Sequence, residues 1–388
     1  MARSPQRAIF IPRLWTTLTF QMSASLTVQV EASIRHLQQG PTAHKTYRLI
    51  QVLRVIAAEF VVVRHATGLL HGRSAANHTW MNGGAGVDIF FVVTGFVMIT
   101  SSNPLLSTTH PARTFFARRL ERLVPMYWIA TTAKVLTLLV IPSIALSGLG
   151  RPWHVIASYL LLPTTSPAGV YGTVLAVGWT LAFKLTFYIL FAIVLAAGLP
   201  RLPTLAPVLI ALAFAWTIPF VARHGTLHFY ANTMQLEFLY GMLLASSIHS
   251  ISRLPRSIGV LMTVAGFIPL LLWFSPHLQL WGGILWGIPA SAVVAGAIAL
   301  ESHVGRHVPK WLLEVGDASY SIYLVHGFVL PVVIMVFAHF DGRYTVPLTL
   351  LFSVIMSTLA AELAYRLIER PITQSLKGRR RSAVPANS

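Results

Sequence analysis

The chain has 388 residues, 55% of them apolar and only 10% charged, with a mean hydropathy of +0.67. Soluble domains carry about 25% charged residues, so this balance points to an integral membrane protein. A formal net charge of +18 would suit nucleic acid, but the cations fall in short runs between apolar segments, which is how topology determinants are placed. With no cysteine in the sequence, disulfides, thiolate metal sites, S-acylation and a cysteine nucleophile are excluded.

Residues 1–46 show weakly apolar patches but no clean apolar core with a small-residue cleavage site, so they read as a flexible cytoplasmic extension. The membrane domain is expected over 47–372 and a basic cytoplasmic tail over 373–388. Apolar windows of helical membrane length predict about ten spans: 49–70, 85–102, 123–146, 177–199, 205–222, 229–248, 258–274, 280–299, 319–339 and 346–367. The apolar run His154–Pro163 is too short to cross and reads as a re-entrant or interfacial piece. The expected class is therefore an all-α integral membrane protein. With both termini inside, the cytoplasmic segments hold 21 Lys/Arg, the outer loops 4 and the spans 4, which accounts for all 29. That asymmetry supports the N-in/C-in arrangement.

The first span carries Arg54, Glu59, Arg64 and His65 among twelve Leu, Ile, Val and Phe residues. Each ionised residue near a helix centre costs about 2.5–3.5 kcal/mol to insert, against about 0.3–0.6 returned per large apolar residue. Such a segment inserts poorly alone, so its polar groups are expected to act. Eleven residues separate Arg54 from His65. On a helix that places them within about 20° of each other and about 16–17 Å apart along the axis. A neutral imidazole is the natural general base for a hydroxyl acceptor, and a carboxylate such as Asp88 or Glu59 could fix its tautomer.

The second span opens with Gly83-Gly-Ala-Gly-Val-Asp-Ile-Phe-Phe, whose glycines let backbones approach closely. Asp88 needs a partner there, with Arg54 or His65 the first candidates. Ahead of the third span, Arg118, Arg119 and Arg122 share a helix region, and guanidinium forks suit phosphate oxygens. A donor with phosphates at the inner mouth and a long arm reaching outward, such as acyl-coenzyme A, would match this depth order. The competing reading is that these arginines are positive-inside anchors. Farther on, Asp317 or Ser319 is expected to cap the ninth span, and Pro371 to stop the tenth. The basic run Arg379–Arg381 suggests contact with anionic lipid.

Taken together, several of these motifs resemble the signature of the membrane acyltransferase-3 family. They are Arg54 with His65; Gly86-Val-Asp-Ile-Phe-Phe-Val-Val-Thr-Gly-Phe96; Arg119-x-x-Arg122 before Pro125; Gly316-Asp-Ala-Ser-Tyr-Ser-Ile-Tyr-Leu-Val-His326; and Ile368-Glu-Arg-Pro371. The likeness runs from about 47 to 372 and is nearest to the branch acting on bacterial exopolysaccharides. It implies ten helices in the bacterial inner membrane, an acyl-CoA co-substrate with no permanent cofactor or metal, and O-acylation, with acetyl expected, of a saccharide or glycolipid hydroxyl. His65 would be catalytic, and Arg54, Arg119 and Arg122, with Arg118, would serve the donor. Trp179, Lys184, Tyr188, Glu237 and His326 are candidates on the acceptor side. In similar sequences the position of Lys184 usually holds glutamate; a pairing of Lys184 with Glu237 would compensate the swap, and an uncompensated swap would impair the site. A homo-oligomer is compatible with all of this. The rival readings are a transporter or flippase for an acyl donor or lipid-linked sugar, and a degenerate, non-catalytic member.

Overall fold

The computed structural model describes residues 47–73, 78–106, 108–141, 151–166, 169, 171–197, 229–230, 233–272, 281–340, 342 and 344–382. The expected extension 1–46 and the fifth predicted span, 205–222, lie outside the described residues.

Helices dominate, as the apolar windows require. In chain order they are α1 (Arg48–Arg73), α2 (Ala85–Ser102), α3 (Pro111–Val140), the short α4 (Pro152–Tyr159) and α5 (Gly178–Ala196). Then come α6 (Gln235–Ser246), α7 (Ile248–Ile251), α8 (Arg256–Leu272), α9 (Gly282–Leu285) and α10 (Gly287–Val304). The series ends with α11 (Lys310–Asp317), α12 (Ser319–Phe337), α13 (Thr345–Ala364) and α14 (Arg370–Ser382). Among the described residues, six helical segments are long and apolar enough to cross a membrane. α1 is not among them, because Arg54, Glu59 and Arg64 interrupt it. Its place in the bundle comes from its neighbours: Ala57, Ala58, Val62 and Ala66 are fully buried against them. The outward faces of α3, α8 and α13 instead expose Leu136, Leu139, Leu261, Leu272, Leu351 and Leu359, as helices bathed in hydrocarbon do.

Close crossings are made by glycine. A Cβ on Gly95 of α2 would stand 1.9 Å from the Phe238 carbonyl of α6, and one on Gly241 of α6 would stand 1.9 Å from the Val92 carbonyl. Gly86 meets Ala57 of α1 in the same way, at 2.1 Å. These contacts make α2 the centre of the bundle, with Phe91 stacked on Phe238 at 4.6 Å and Phe187 of α5 on the same ring at 4.5 Å.

Three sequence expectations change. The third span begins at Pro111 rather than near 123, because proline suits the first helical turn, where its missing N–H has no partner to lose. Arg118, Arg119 and Arg122 therefore sit inside a continuous helix. Neither Asp317 nor Ser319 caps α12: Ala318 holds the cap position without a side-chain bond, and Asp317 instead accepts a hydrogen bond from Gln51 Nε2 at 3.0 Å. Pro371 does not stop the tenth span. A π-helical turn, Tyr365–Glu369, opens the hydrogen-bond ladder just before the proline, and α14 continues beyond it.

Between α3 and α5 the run His154–Pro163 forms only the last six residues of the eight-residue α4, itself about 12 Å long, and a turn. A small hairpin follows, with Thr164 opposite Gly172 and Thr165 opposite Tyr171. Tyr127 and Trp128 of α3 donate to the Ser158 and Tyr159 carbonyls at 2.7 and 2.8 Å, which fixes α4 against α3.

Basic ends converge. Glu301 of α10 accepts the Arg48 and Leu49 backbone N–H groups at 2.8 and 2.9 Å, satisfying the open donors that begin α1. Arg366 bridges Glu362 and Glu314 at 2.6 and 3.2 Å. The start of α1 and the ends of α10, α11 and α13 thus share one end of the bundle.

Candidate active site

Both halves of the site hang on α1. Near its start, Arg54 donates from Nη1 to Gln51 Oε1 at 2.7 Å, and Gln51 in turn donates to Asp317. Gly316 permits that meeting, since a Cβ there would stand 2.9 Å from the Gln51 carbonyl. Arg122, whose guanidinium is exposed, and Lys184 both lie within electrostatic reach of Arg54. The carboxylates facing Arg54 are Asp317 and Glu369. Glu369 is brought inward by the π turn and accepts from Ser321 at 2.6 Å. Formal cations outnumber carboxylates in this cluster, which suits an anionic ligand.

The four predicted donor-side arginines do not behave alike. Arg119 is only partly accessible. Its Nη2 donates to the Val97 carbonyl at 3.2 Å and to Ser101 Oγ, while its guanidinium lies over the rings of Phe115 and Tyr188 at 5.2 and 5.7 Å. This arginine clamps α3 to α2. Arg118 and Arg122 are exposed. Tyr188 is accordingly a buried platform for Arg119, and Trp179 packs edge-on to Phe183 at 6.0 Å.

At the other half, His65 Nδ1 lies 2.8 Å from His326 Nε2 of α12. The ring planes differ by only 5° and the centroids are 5.0 Å apart. Each nitrogen is one ring radius from its centroid, so those distances fit only an edge-to-edge arrangement of the two rings. This is an edge-to-edge hydrogen bond, not a face-to-face stack. His326 Nδ1 lies 3.1 Å from the Ile322 carbonyl, and the His326 ring is buried. His65 is only partly buried, and its Nε2 has no hydrogen-bond partner among the described residues.

The expected carboxylate partners are elsewhere. Glu59 accepts from Thr358 of α13 at 2.8 Å, with its second oxygen buried and without a partner among the described residues. Asp88 lies against Glu237 and toward Arg64, not Arg54 or His65. The reason is angular: Arg64 and His65 are consecutive, so their side chains leave α1 about 100° apart. Arg64 itself donates to the Met81 carbonyl at 2.7 Å and holds the 3-10 turn Met81–Gly84. Glu237 is fully buried, and neither of its carboxylate oxygens has a hydrogen-bond partner among the described residues. The compensating Lys184–Glu237 pair does not form; the Lys184 ammonium instead lies 5.2 Å from the centroid of Phe90 and faces Arg54 and Arg122.

A family model described as an acyltransferase domain matches residues 48–366, which includes every residue of both halves except Glu369. The chain belongs to the acyltransferase-3 family. It is 32% identical over 324 residues to the exopolysaccharide production protein ExoZ of Rhizobium meliloti, covering 81% of this chain and 97% of that one. It is 24% identical to the putative peptidoglycan O-acetyltransferase YrhL of Bacillus subtilis over 76% of this chain and 51% of that protein. With the O-acetyltransferase OatA of Staphylococcus aureus the identity is 25%, over 76% of this chain and 54% of that one. The chain thus spans about half the length of the last two relatives. No solved structure matches it.

For an acyltransferase-3 protein, the run Gly316–His326 now has a physical account. Tyr320 donates to the Leu123 carbonyl of α3 at 2.7 Å, Ser321 to Glu369, and Tyr323 pairs with Thr180 of α5 at 2.7 Å. With Asp317 on Gln51 and His326 on His65, this short stretch is fastened to four neighbouring elements, α1, α3, α5 and the π turn. Gln51, Ser321, Tyr323 and Glu369 were missed as site residues. The signal for Tyr323 was its spacing, four residues after Ser319 and three before His326, on one helix face.

Proposed function

We propose that this chain is a membrane O-acyltransferase of about ten spans with both termini in the cytoplasm. It would move an acyl group, with acetyl the expected one, from cytoplasmic acyl-CoA to a hydroxyl of a cell-surface or lipid-linked saccharide. The bacterial inner membrane is the expected location. The observation that carries this reading is the arrangement on α1, where a cation-rich end around Arg54 and a hydrogen-bonded imidazole at His65 are eleven residues apart on one face. The names of the relatives, in exopolysaccharide production and O-acetylation, favour a saccharide hydroxyl as acceptor.

In this reaction Arg54, Arg122 and Lys184 hold the donor's phosphates, and the pantetheine arm runs along α1 toward His65. Its imidazole takes the proton of the acceptor hydroxyl as that oxygen attacks the thioester carbonyl. The C–S bond breaks as the ester forms, and the imidazolium returns the proton to the departing thiolate. General-base help of this kind contributes about 10²–10⁴-fold.

The test is transfer of label from radiolabelled acetyl-CoA to a candidate polysaccharide by the purified protein. Wild type is expected to transfer and His65→Ala to lose the activity. Transfer that survives His65→Ala would overturn the assigned role of His65, and a wild type that transfers nothing from acyl-CoA to any saccharide would overturn the function.

A further inference from the structure

The pair His65–His326 fixes more than a distance. A backbone carbonyl can only accept, so at 3.1 Å from the Ile322 oxygen it is His326 Nδ1 that carries the hydrogen. A neutral imidazole has one N–H, so His326 Nε2 is then bare and can only accept. The 2.8 Å contact must therefore be a hydrogen bond donated by His65 Nδ1. That leaves the lone pair of a neutral His65 on Nε2, the nitrogen with no protein partner among the described residues. Ring planes 5° apart give this bond good geometry, and burial of the His326 ring keeps water from competing for its nitrogens.

We infer that His326 is a positioning residue, a neutral histidine on α12 that selects the Nδ1–H tautomer of His65 and aims its Nε2 lone pair at the acceptor hydroxyl. The inference rests on the proposed role of His65 as base and adds which nitrogen acts and what holds it. In the better-known arrangement a carboxylate orients the histidine. Here the two carboxylates expected beside His65 are engaged elsewhere, Glu59 with Thr358 and Asp88 against Glu237. The orienting bond thus adds no negative charge beside the base. When His65 takes the proton it still donates from Nδ1 to the same acceptor, so the geometry is unchanged through the step.

Two amides separate this role from simple packing. The Asn side chain reaches about as far as Nδ1, so His326→Asn can keep the bond to Ile322 but leaves the Nε2 position vacant. In His326→Gln the amide oxygen stands near Nε2 and can accept from His65. Steady-state transfer is measured for both, together with ¹⁵N spectra of histidine-labelled protein in which the His65 signals are identified by their loss in His65→Gln. The expected result is a kcat lowered on the order of 10²-fold in His326→Asn with KM for acetyl-CoA little changed, and most of that loss recovered in His326→Gln. The wild-type spectrum should show a protonated Nδ1 and a bare Nε2 on His65, with that preference lost in His326→Asn and kept in His326→Gln. Equal kcat in the two variants, or a His65 protonated on Nε2 in wild type, would overturn the inference even if His65→Ala is inactive. The spectra decide the tautomer whether or not acyl-CoA proves to be the donor, so the two readings fail separately.

Discussion

Replacing Arg119 and Arg122 one at a time should produce two different phenotypes, although the sequence presents them as one motif. Arg119 donates twice into α2, to Val97 and Ser101, and lies over Phe115 and Tyr188. A hydrogen bond from a charged group contributes about 1.5–3 kcal/mol and each cation–π contact about 0.5–1 kcal/mol. Desolvation of the guanidinium offsets roughly half of that sum, leaving about 2–4 kcal/mol for the whole clamp. Arg119→Ala should therefore lower the melting temperature of the detergent-solubilised protein and reduce kcat as α3 loosens from α2. The Arg122 guanidinium is exposed and makes no hydrogen bond among the described residues, so Arg122→Ala should shift stability by less than about 0.5 kcal/mol. It should instead raise KM for acyl-CoA about 10–100-fold, the equivalent of one charge-assisted bond to phosphate. Thermal unfolding and donor-dependent transfer, measured on the same preparations, check both. An Arg119→Ala variant that melts like wild type and loses only donor affinity would refute this division.

Lys184 faces Arg54 and Arg122 without an ion pair among the described residues, so Lys184→Met should weaken CoA binding about 3–10-fold, and wild-type binding should itself weaken as salt is raised. Binding unaffected by the substitution would place Lys184 outside the donor site. Gly95→Val or Gly241→Val would drive a side chain into a facing carbonyl and should destabilise the protein by about 1–3 kcal/mol or more, whereas Gly327→Ala enters open space and should leave the melting temperature unchanged or slightly raised.

Hydropathy made the helices readable, because an apolar run of membrane length has few other fates. What it could not supply is rotation about each helix axis. The angle between Arg64 and His65 decides that Asp88 meets the first and not the second, and that angle becomes visible only once Gly86 has set α2 against Ala57. Lys184 illustrates the same point. Its sequence suggests a carboxylate partner, but the glycine-mediated crossing of α2 and α6 directs Glu237 toward Asp88, and Lys184 is left with the ring of Phe90 and the arginines. Pro371 misleads for a different reason. The rule that proline ends a helix assumes an unbroken α-type ladder, whereas here a π turn intervenes and Pro371 falls in the first turn of α14, a position that proline tolerates.

On the proposed mechanism, the residues that bear on catalysis are divided between one helix that sets distance and another that sets orientation. Arg54 and His65 share α1, so the span between the cationic end and the imidazole is fixed by helix rise and cannot drift with the packing of other helices. His326 belongs to α12, 261 positions away in the chain, so the tautomer of His65 depends on how α12 docks. That docking is in turn set by Tyr320 on α3, Tyr323 on α5 and Ser321 on the π turn. The same bonds that join the helices around α12 therefore also hold the orienting histidine, which explains why so many polar residues are concentrated between Gly316 and His326.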